Sequence, residues 1–172
     1  IARRQRQMCI RDSSTSLEEF EKAGKLVWVN LEDMYFEHVQ KSFDLQTINN
    51  SGIKIGYDAM YGAGQRIALR ILKNIVALHC DENPGFKGQA PEPIHRNLTE
   101  LSNLLKNDNS LACGLANDGD ADRIGMYDDE GNFVDSHHII LLLIHYLHKY
   151  KNYNGKVVIA FSVSEKVKRL CE

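Results

Sequence analysis

Apolar positions recur along the chain in two alternating patterns, which together predict an α/β fold. Apolar residues at 53–57 predict a strand, and apolar residues at three- and four-residue steps predict a helix over 65–78. The same alternation continues with strands predicted at 111–116 and 156–161 and helices at 98–105, 136–150 and 164–171. Strand–helix alternation at this spacing is typical of a mixed or parallel sheet with helices packed against it.

Capping and turn residues mark the ends of several elements. Asn97 stands three positions before an acidic residue, as at many helix starts, and Ser136 and Ser164 are placed to cap the two later helices. Residues 128–132, between two short apolar runs, predict a β-hairpin. Two glycines before the first helix, Gly62 and Gly64, are more typical of a turn than of a phosphate-binding loop.

The N-terminal part of the chain follows other patterns. A helical pattern over 16–39 is broken at Gly24, and a turn cluster at 49–52 follows it. Residues 1–13 are rich in arginine and have no periodicity. A basic tail that binds nucleic acid is one interpretation of them. The string also resembles translated sequencing-adaptor read-through, so we interpret it as a non-native tail and exclude it from the fold.

Composition and charge exclude several classes of protein. The chain has 172 residues, of which 43% are hydrophobic and 26% charged, with a net charge of -2. These values favour a folded protein over a disordered one and give no basic face for nucleic acid. The longest aliphatic run, residues 139–144, is far shorter than the roughly 20 residues of a membrane span. We therefore expect neither a nucleic acid nor a membrane partner.

The cysteines point to a reducing compartment. The chain has four cysteines, none of them in a CxxC or metal-finger spacing. With no signal peptide visible, reduced thiols in a cytoplasmic protein are the expected state.

The candidate functional residues lie in one segment, Asn-Asp-Gly-Asp-Ala-Asp-Arg at residues 117–123. Asp118, Asp120 and Asp122 follow an apolar strand at alternate positions, which project to the same side of an extended or gently curved loop. Three like charges that converge repel each other, and the arrangement is costly without a cation. Ligands that are all oxygen suit a hard ion such as Mg²⁺.

The residues between and after the aspartates fit the same interpretation. Gly119 and Ala121 are small and allow the backbone to curl tightly enough for the carboxylates to converge. Arg123 adds a positive charge whose planar fork suits phosphate oxygens. A metal and an arginine beside three aspartates are typical of phosphoryl transfer, where positioning and charge stabilisation do most of the catalysis.

The acidic loop has two other interpretations. A solvated acidic turn without a ligand remains open from the spacing alone, because aspartate and glycine are common in turns. A calcium loop of the EF-hand kind matches the three acidic positions. It requires glycine where Arg123 stands, and it requires flanking helices where strands are predicted, so it is not favoured.

The sequence resembles a known family at this loop and at three other places, in the family's order. The segment Asp-Gly-Asp-Ala-Asp-Arg after a strand resembles the metal-binding loop of the phosphoglucomutase/phosphomannomutase superfamily, the α-D-phosphohexomutases. The other stretches resemble the strand and glycine turn that open the family's second domain, that domain's proline-rich loop and helix start, and the first strand of its third domain; they are residues 53–64, 83–98 and 156–159. The resemblance covers roughly residues 50–172, and more loosely 17–50.

The resemblance implies a division of the chain into parts of a larger, four-domain enzyme. It implies the end of domain I and a connection at 14–50, and an α/β/α domain II with the metal-binding loop at 51–134. Residues 135–172 would be the truncated start of a similar domain III.

The resemblance also implies an activity. Members of the family move a phosphoryl group between the 1- and 6-positions of a hexose through a phosphoserine and Mg²⁺. By resemblance, Asp118, Asp120 and Asp122 would hold the metal, and Arg123 would steady phosphate oxygens. The partners would be a hexose phosphate and a hexose bisphosphate intermediate, and the resemblance leaves glucose, mannose and glucosamine open.

The departures from the family pattern concern the rest of the active site. The family's serine lies in a Ser-His-Asn-Pro loop upstream of the aspartates, and this sequence contains no such string. The family's sugar-binding and phosphate-binding loops would lie beyond residue 172. We therefore expect the chain alone to lack the nucleophile and to be inactive. The alternative is a non-catalytic metal-binding or regulatory protein on the same fold.

Overall fold

The computed structural model describes residues 16–172, which divide into two compact units, one ending at His38 and the other beginning at Val39. The arginine-rich string 1–13 lies outside the described residues. In the first unit, helix α1 (Leu17–Lys22) begins at Ser16, whose hydroxyl accepts the Glu19 amide while the Glu19 carboxylate accepts the Ser16 amide. Gly24 ends this helix with φ +67°, so the predicted break is confirmed.

A five-stranded mixed sheet organises the second unit. The strands lie in the order β2-β1-β3-β4-β5, in which β1, β2 and β3 are parallel and the last two are antiparallel. This arrangement confirms the predicted α/β class. After α2 (Leu31–Ser42), the elements are α3 (Leu45–Asn50), β1 (Lys54–Asp58), α4 (Gly64–Ile71), β2 (Ile75–Leu78), α5 (Thr99–Asn107), β3 (Leu111–Asn117), β4 (Ile124–Tyr127), β5 (Phe133–Val134), α6 (Ser136–Lys149) and α7 (Glu165–Cys171).

The core lies where α5 packs on β1 and β3. Helix α5 and the residue before it supply three fully buried leucines, which meet apolar side chains of the sheet. Each such leucine contributes about 1.5–3 kcal/mol when it leaves water. The buried members of this cluster are Met60, Leu98, Leu101, Leu105, Leu111, Ala116 and Tyr127. This packing fixes the carboxyl ends of β1 and β3, from which the acidic loop projects.

One predicted helix is a helix followed by a strand. The pattern predicts a helix over 65–78, but α4 ends at Ile71 and β2 follows, paired in parallel with β1. The prediction is wrong because apolar spacing in a short strand also fits a helix, while pairing with β1 decides the outcome. Asn49 of α3 holds the joint: its amide donates to the Ile71 carbonyl at 2.9 Å and accepts the Lys73 amide at 2.8 Å.

A second correction concerns residues 156–161. The sequence predicts a core strand there, but these residues have no strand pairing within the described part of the chain. Val158 is 92% exposed and Phe161 fully exposed. A strand needs a partner for its backbone groups as well as an apolar sequence, and among residues 16–172 no neighbouring strand lies alongside.

The helix caps differ in detail from the predictions. Helix α5 has no side-chain cap, because the residue at its N-cap position is Leu98, whose side chain cannot accept a hydrogen bond. The predicted cap, Asn97, lies one residue earlier, and its Nδ2 donates to the carbonyls of Ala90 and Glu92. Helix α6 is capped by Asp135, whose carboxylate accepts the His138 amide, and not by Ser136. The Ser164 cap of α7 is confirmed.

The predicted hairpin is confirmed. Strands β4 and β5 pair with Met126 opposite Val134 and Tyr127 opposite Phe133. The Asp128 carboxylate closes the turn by accepting the amides of Glu130 and Asn132.

Two further findings concern membrane-spanning helices and cysteines. Within residues 16–172, no helix combines the length and the apolar character that crossing a membrane requires. The three cysteines in this part of the chain, Cys80, Cys113 and Cys171, are all free thiols.

Candidate metal centre

The acidic loop, residues 118–123, connects β3 to β4 at the edge of the sheet where the parallel strands β1 and β3 end. Ligands of open α/β sheets commonly bind at this edge. The strand on the amino side ends at Asn117 and the strand on the carboxyl side begins at Ile124, and these two residues face each other in the β3–β4 ladder. The loop is therefore closed at its base.

The structure brings the three predicted carboxylates together. Asp118, Asp120 and Asp122 each offer a carboxylate oxygen, and these oxygens lie within 4.8 Å of one another. A tight turn produces this convergence, and extended alternation does not: the Ala121 amide donates to the Asp118 carbonyl, and Ala121 has φ +63°. Asp118 is 1% exposed, whereas Asp120 and Asp122 are open to solvent.

The proximity of these charges shifts the pKa values. Repulsion from Asp120, and then from Asp118, raises the pKa of Asp122. Burial acts to raise the pKa of Asp118, but the backbone and side-chain hydrogen bonds from Arg123 outweigh it and lower that pKa to about 2. Asp118 is thus the anionic anchor of the cluster. Three oxygen donors, two of them facing solvent, fit a hard divalent cation that keeps water or phosphate among its ligands.

Arg123 lies against the carboxylate cluster, as the motif predicts. Its Nε donates to Asp118 Oδ2 at 2.7 Å, and its backbone amide donates to Asp118 Oδ1 at 3.0 Å. Its side chain is 61% exposed, so the outer guanidinium face is open to an approaching anion. A fixed positive charge at this position can bind phosphate oxygens next to a metal ion.

A second turn, at residues 59–63, contacts the acidic loop. The Ala63 amide donates to the Gly119 carbonyl at 2.9 Å. At Gly62, an added Cβ would lie 2.6 Å from the Asp118 carbonyl oxygen, closer than a carbon can approach. Close backbone approach therefore explains Gly62, in agreement with the turn interpretation.

Asp58 and His79 are part of this support, although the sequence patterns do not single them out. Asp58 ends β1 and is 1% exposed, and the His79 ring that follows β2 lies 2.9 Å from its carboxylate. The signal that could have found Asp58 is an acidic residue at the end of an apolar strand. A cavity of about 150 Å³ lies beside this pair, lined in part by Tyr61, Lys87 and Glu100.

This geometry defines an α/β domain with an acidic loop at the edge of its sheet. A family profile described as phosphoglucomutase/phosphomannomutase, alpha/beta/alpha domain II, matches residues 33–131. The chain belongs to the phosphoglucomutase/phosphomannomutase family.

Curated relatives agree with this assignment. The chain is 30% identical over 157 residues to a Pyrococcus furiosus protein named probable phosphoglucosamine mutase, covering 86% of this chain and 34% of that protein. It is 28% identical over 128 residues to the phosphopentomutase of Thermococcus kodakarensis, covering 72% of this chain and 28% of that protein. The chain therefore spans about a third of the length of the relatives that it matches.

Solved structures share the fold. A candidate phosphomannomutase from Thermus thermophilus superposes with a TM-score of 0.72 at 28% identity, over 82% of this chain and 33% of that one. A phosphoglucomutase/phosphomannomutase family protein from Burkholderia thailandensis superposes with a TM-score of 0.71 at 23% identity, over 82% and 31%. The second likeness bears on the fold alone.

Proposed function

We propose that this chain carries the Mg²⁺-binding loop of a phosphohexomutase, an enzyme that transfers a phosphoryl group between the 1- and 6-positions of a hexose phosphate. The observation that supports the proposal most is the convergence of three carboxylate oxygens within 4.8 Å beside an arginine, at the edge of the sheet. Family membership supports the same reaction class.

The aspartates and the arginine of the loop would have different roles, one in binding the metal and the other in binding phosphate. Asp118, Asp120 and Asp122 would hold Mg²⁺, which when bound would neutralise charge on the phosphate group being transferred. Arg123, held by Asp118 through two hydrogen bonds, would present its outer N–H groups to phosphate oxygens. Because Asp118 already holds the Arg123 side chain, little reorganisation of that charge would be needed during transfer.

The nucleophile would come from outside this chain. We infer a phosphoserine, because the family resemblance implies one and because this sequence contains no Ser-His-Asn-Pro string. The hexose phosphate would leave the site as its isomer after a bisphosphate intermediate that stays bound between the two transfers. The chain alone would bind the metal without turning over substrate, and the complete enzyme would act in the cytoplasm.

The relatives suggest which substrates to assay. Their names include a pentose phosphate mutase, a glucosamine phosphate mutase and a phosphomannomutase. We propose to test hexose and hexosamine phosphates first and a pentose phosphate beside them.

Metal binding is tested by titrating the chain with Mn²⁺, read by electron paramagnetic resonance, and repeating the titration with Mg²⁺ as competitor. Asp120→Asn should weaken Mn²⁺ binding at least tenfold, because it removes one charged ligand. Asp129→Asn is the matched control, since Asp129 is an aspartate of the hairpin turn outside the loop. Equal affinities in both variants would contradict the proposed site.

Catalysis is tested on the complete product of the gene. We expect mutase activity that collapses in Asp120→Asn and survives in Asp129→Asn. If the gene product binds Mn²⁺ at the loop but converts none of these sugar phosphates, the mutase proposal is wrong. The alternative, a non-catalytic metal-binding protein on the same fold, would then be favoured.

A further inference from the structure

The acidic loop is held at its base by the side chain of the residue that precedes it. Asn117 is the last residue of β3, and its Nδ2 donates to the backbone carbonyl of Arg123 at 2.9 Å. The amide thus joins the position just before the loop to the last residue of the loop. It continues the β3–β4 ladder by one further hydrogen bond at the point where the backbone pairing ends.

A buried tyrosine fixes the orientation of that amide. Tyr57 on β1 is 4% exposed, and its hydroxyl donates to Asn117 Oδ1 at 3.1 Å. An asparagine side chain has one acceptor end and one donor end. With Oδ1 held by the tyrosine, Nδ2 necessarily faces Arg123. The three residues therefore form a continuous chain of hydrogen bonds from β1 to the end of the loop.

The start of α4 leaves space for this chain. At Gly64, an added Cβ would overlap the Tyr57 hydroxyl and would lie 3.5 Å from the Cβ of Ala121 and 3.8 Å from the Cβ of Asn117. Ala121 is the residue with positive φ at which the loop turns. The same small space therefore borders the base of the loop and its turn.

We propose that Tyr57 and Asn117 are positioning residues for the metal-binding loop, which set the distances among its carboxylates without contacting the cation or the phosphate. Fixing Asn117 orients the adjacent Asp118. Fixing the Arg123 carbonyl keeps the Arg123 amide on Asp118 Oδ1, where it donates at 3.0 Å. This inference rests on the proposed function, because it assigns the cluster a metal to hold.

The test removes a single oxygen atom. Tyr57→Phe keeps the ring in the core but leaves the Asn117 amide free to turn. Two readouts are measured on the full chain: the hydrogen exchange rate of the Arg123 amide, and the affinity for Mn²⁺ by electron paramagnetic resonance. Loss of one neutral hydrogen bond should change each by about fivefold, with faster exchange and weaker binding.

The control is a buried hydroxyl elsewhere in the same unit. Ser102 is buried, and its hydroxyl donates to the Gly131 carbonyl at 2.8 Å, so Ser102→Ala also deletes one hydroxyl hydrogen bond. It should lower the free energy of unfolding by a similar amount and leave both readouts unchanged. Equal effects of Ser102→Ala and Tyr57→Phe on Mn²⁺ affinity would overturn the proposal, since general destabilisation would then explain both.

A double variant adds a signature that a purely structural role would not produce. Because Tyr57 acts through Asn117, the Tyr57→Phe/Asn117→Ala protein should bind Mn²⁺ no more weakly than Asn117→Ala alone. Additive losses would overturn the proposed order of action. If the wild-type chain binds no Mn²⁺, the proposed metal site itself is contradicted. The exchange readout would then decide, because faster exchange of the Arg123 amide in Tyr57→Phe supports the positioning role of Tyr57 and Asn117, and unchanged exchange overturns it.

Discussion

His79 Nδ1 lies 2.9 Å from each carboxylate oxygen of Asp58. This contact joins the carboxyl ends of the parallel strands β1 and β2. Burial raises the pKa of Asp58, while hydrogen bonds from the Met60 amide and the His79 ring oppose this shift. The pair therefore keeps a buried carboxyl group satisfied at the place where the turn 59–63 leaves the sheet.

Replacing that ring should destabilise the fold. His79→Ala leaves the Asp58 carboxyl without its side-chain partner in a site shielded from water, and we expect the free energy of unfolding to fall by about 1.5–3 kcal/mol. Urea denaturation followed by circular dichroism measures it. His138→Ala is the control: this ring pairs with Asp135 at the surface, where such pairs contribute about 0–1 kcal/mol. Equal losses in the two variants would contradict the role given to the buried pair.

Acid should weaken the link between β1 and the turn before β3. The hydroxyl of Ser110, followed by Lys54 and the Ser110 amide, lowers the pKa of Asp108 from 3.8 to about 2. A carboxyl group whose pKa is lower in the folded state stabilises the fold when ionised, so this contribution is present above pH 4 and is lost as the pH falls toward 2.

The comparison is between the wild type and Asp108→Asn, with urea midpoints measured at several pH values from about 6 to about 2.5. We expect the wild type to lose more stability than the variant below about pH 4, because the variant has no carboxyl group to protonate there. Lys54 Nζ lies 3.0 Å from the Asp108 carboxylate, so added salt should reduce part of the difference. Parallel curves for the two proteins would exclude Asp108 as the source.

Gly62→Ala should damage the loop through its backbone. The new Cβ would lie 2.6 Å from the Asp118 carbonyl oxygen and 2.8 Å from that of Gly119, so one of the two turns must move. Overpacking of this kind costs about 1–3 kcal/mol, and Mn²⁺ binding should weaken with it. Gly155→Ala, where the added Cβ meets nothing within 4 Å, should leave stability and binding as they are.

The isolated chain should bind Mg²⁺ weakly. Its three carboxylates fill only part of an octahedral shell, and the proposed phosphoserine oxygen would come from outside this sequence. Titration calorimetry measures the affinity directly. A dissociation constant in the submicromolar range would mean that the loop forms a complete site without the phosphoserine.

Much of the site could be predicted because its residues are adjacent in sequence. Asp118, Asp120, Asp122 and Arg123 all lie within one short segment, so a tight turn between two strands suffices to bring them together. Tyr57 and His79 could not be found in this way. Each acts across the sheet on a residue that is distant in the chain, and nothing in the local pattern identifies that partner.

The errors in the fold have the same origin. The apolar residues of β2 satisfy a helical spacing as well as a strand, and only pairing with β1 distinguishes the two. Residues 156–161 have a strand-like composition but no strand beside them among residues 16–172. Local composition predicts the capacity for a strand, whereas the neighbour determines whether it forms.

Asn49 gives the domain an upstream limit that its strands do not reveal. Its side chain, shortly before the apolar run at 53–57, fastens the end of α4 to the start of β2. A piece of the gene cut at residue 51 would encode every strand of the sheet and yet lack this amide. Any transplant of the domain into another protein must therefore begin before Asn49, or supply a substitute for it.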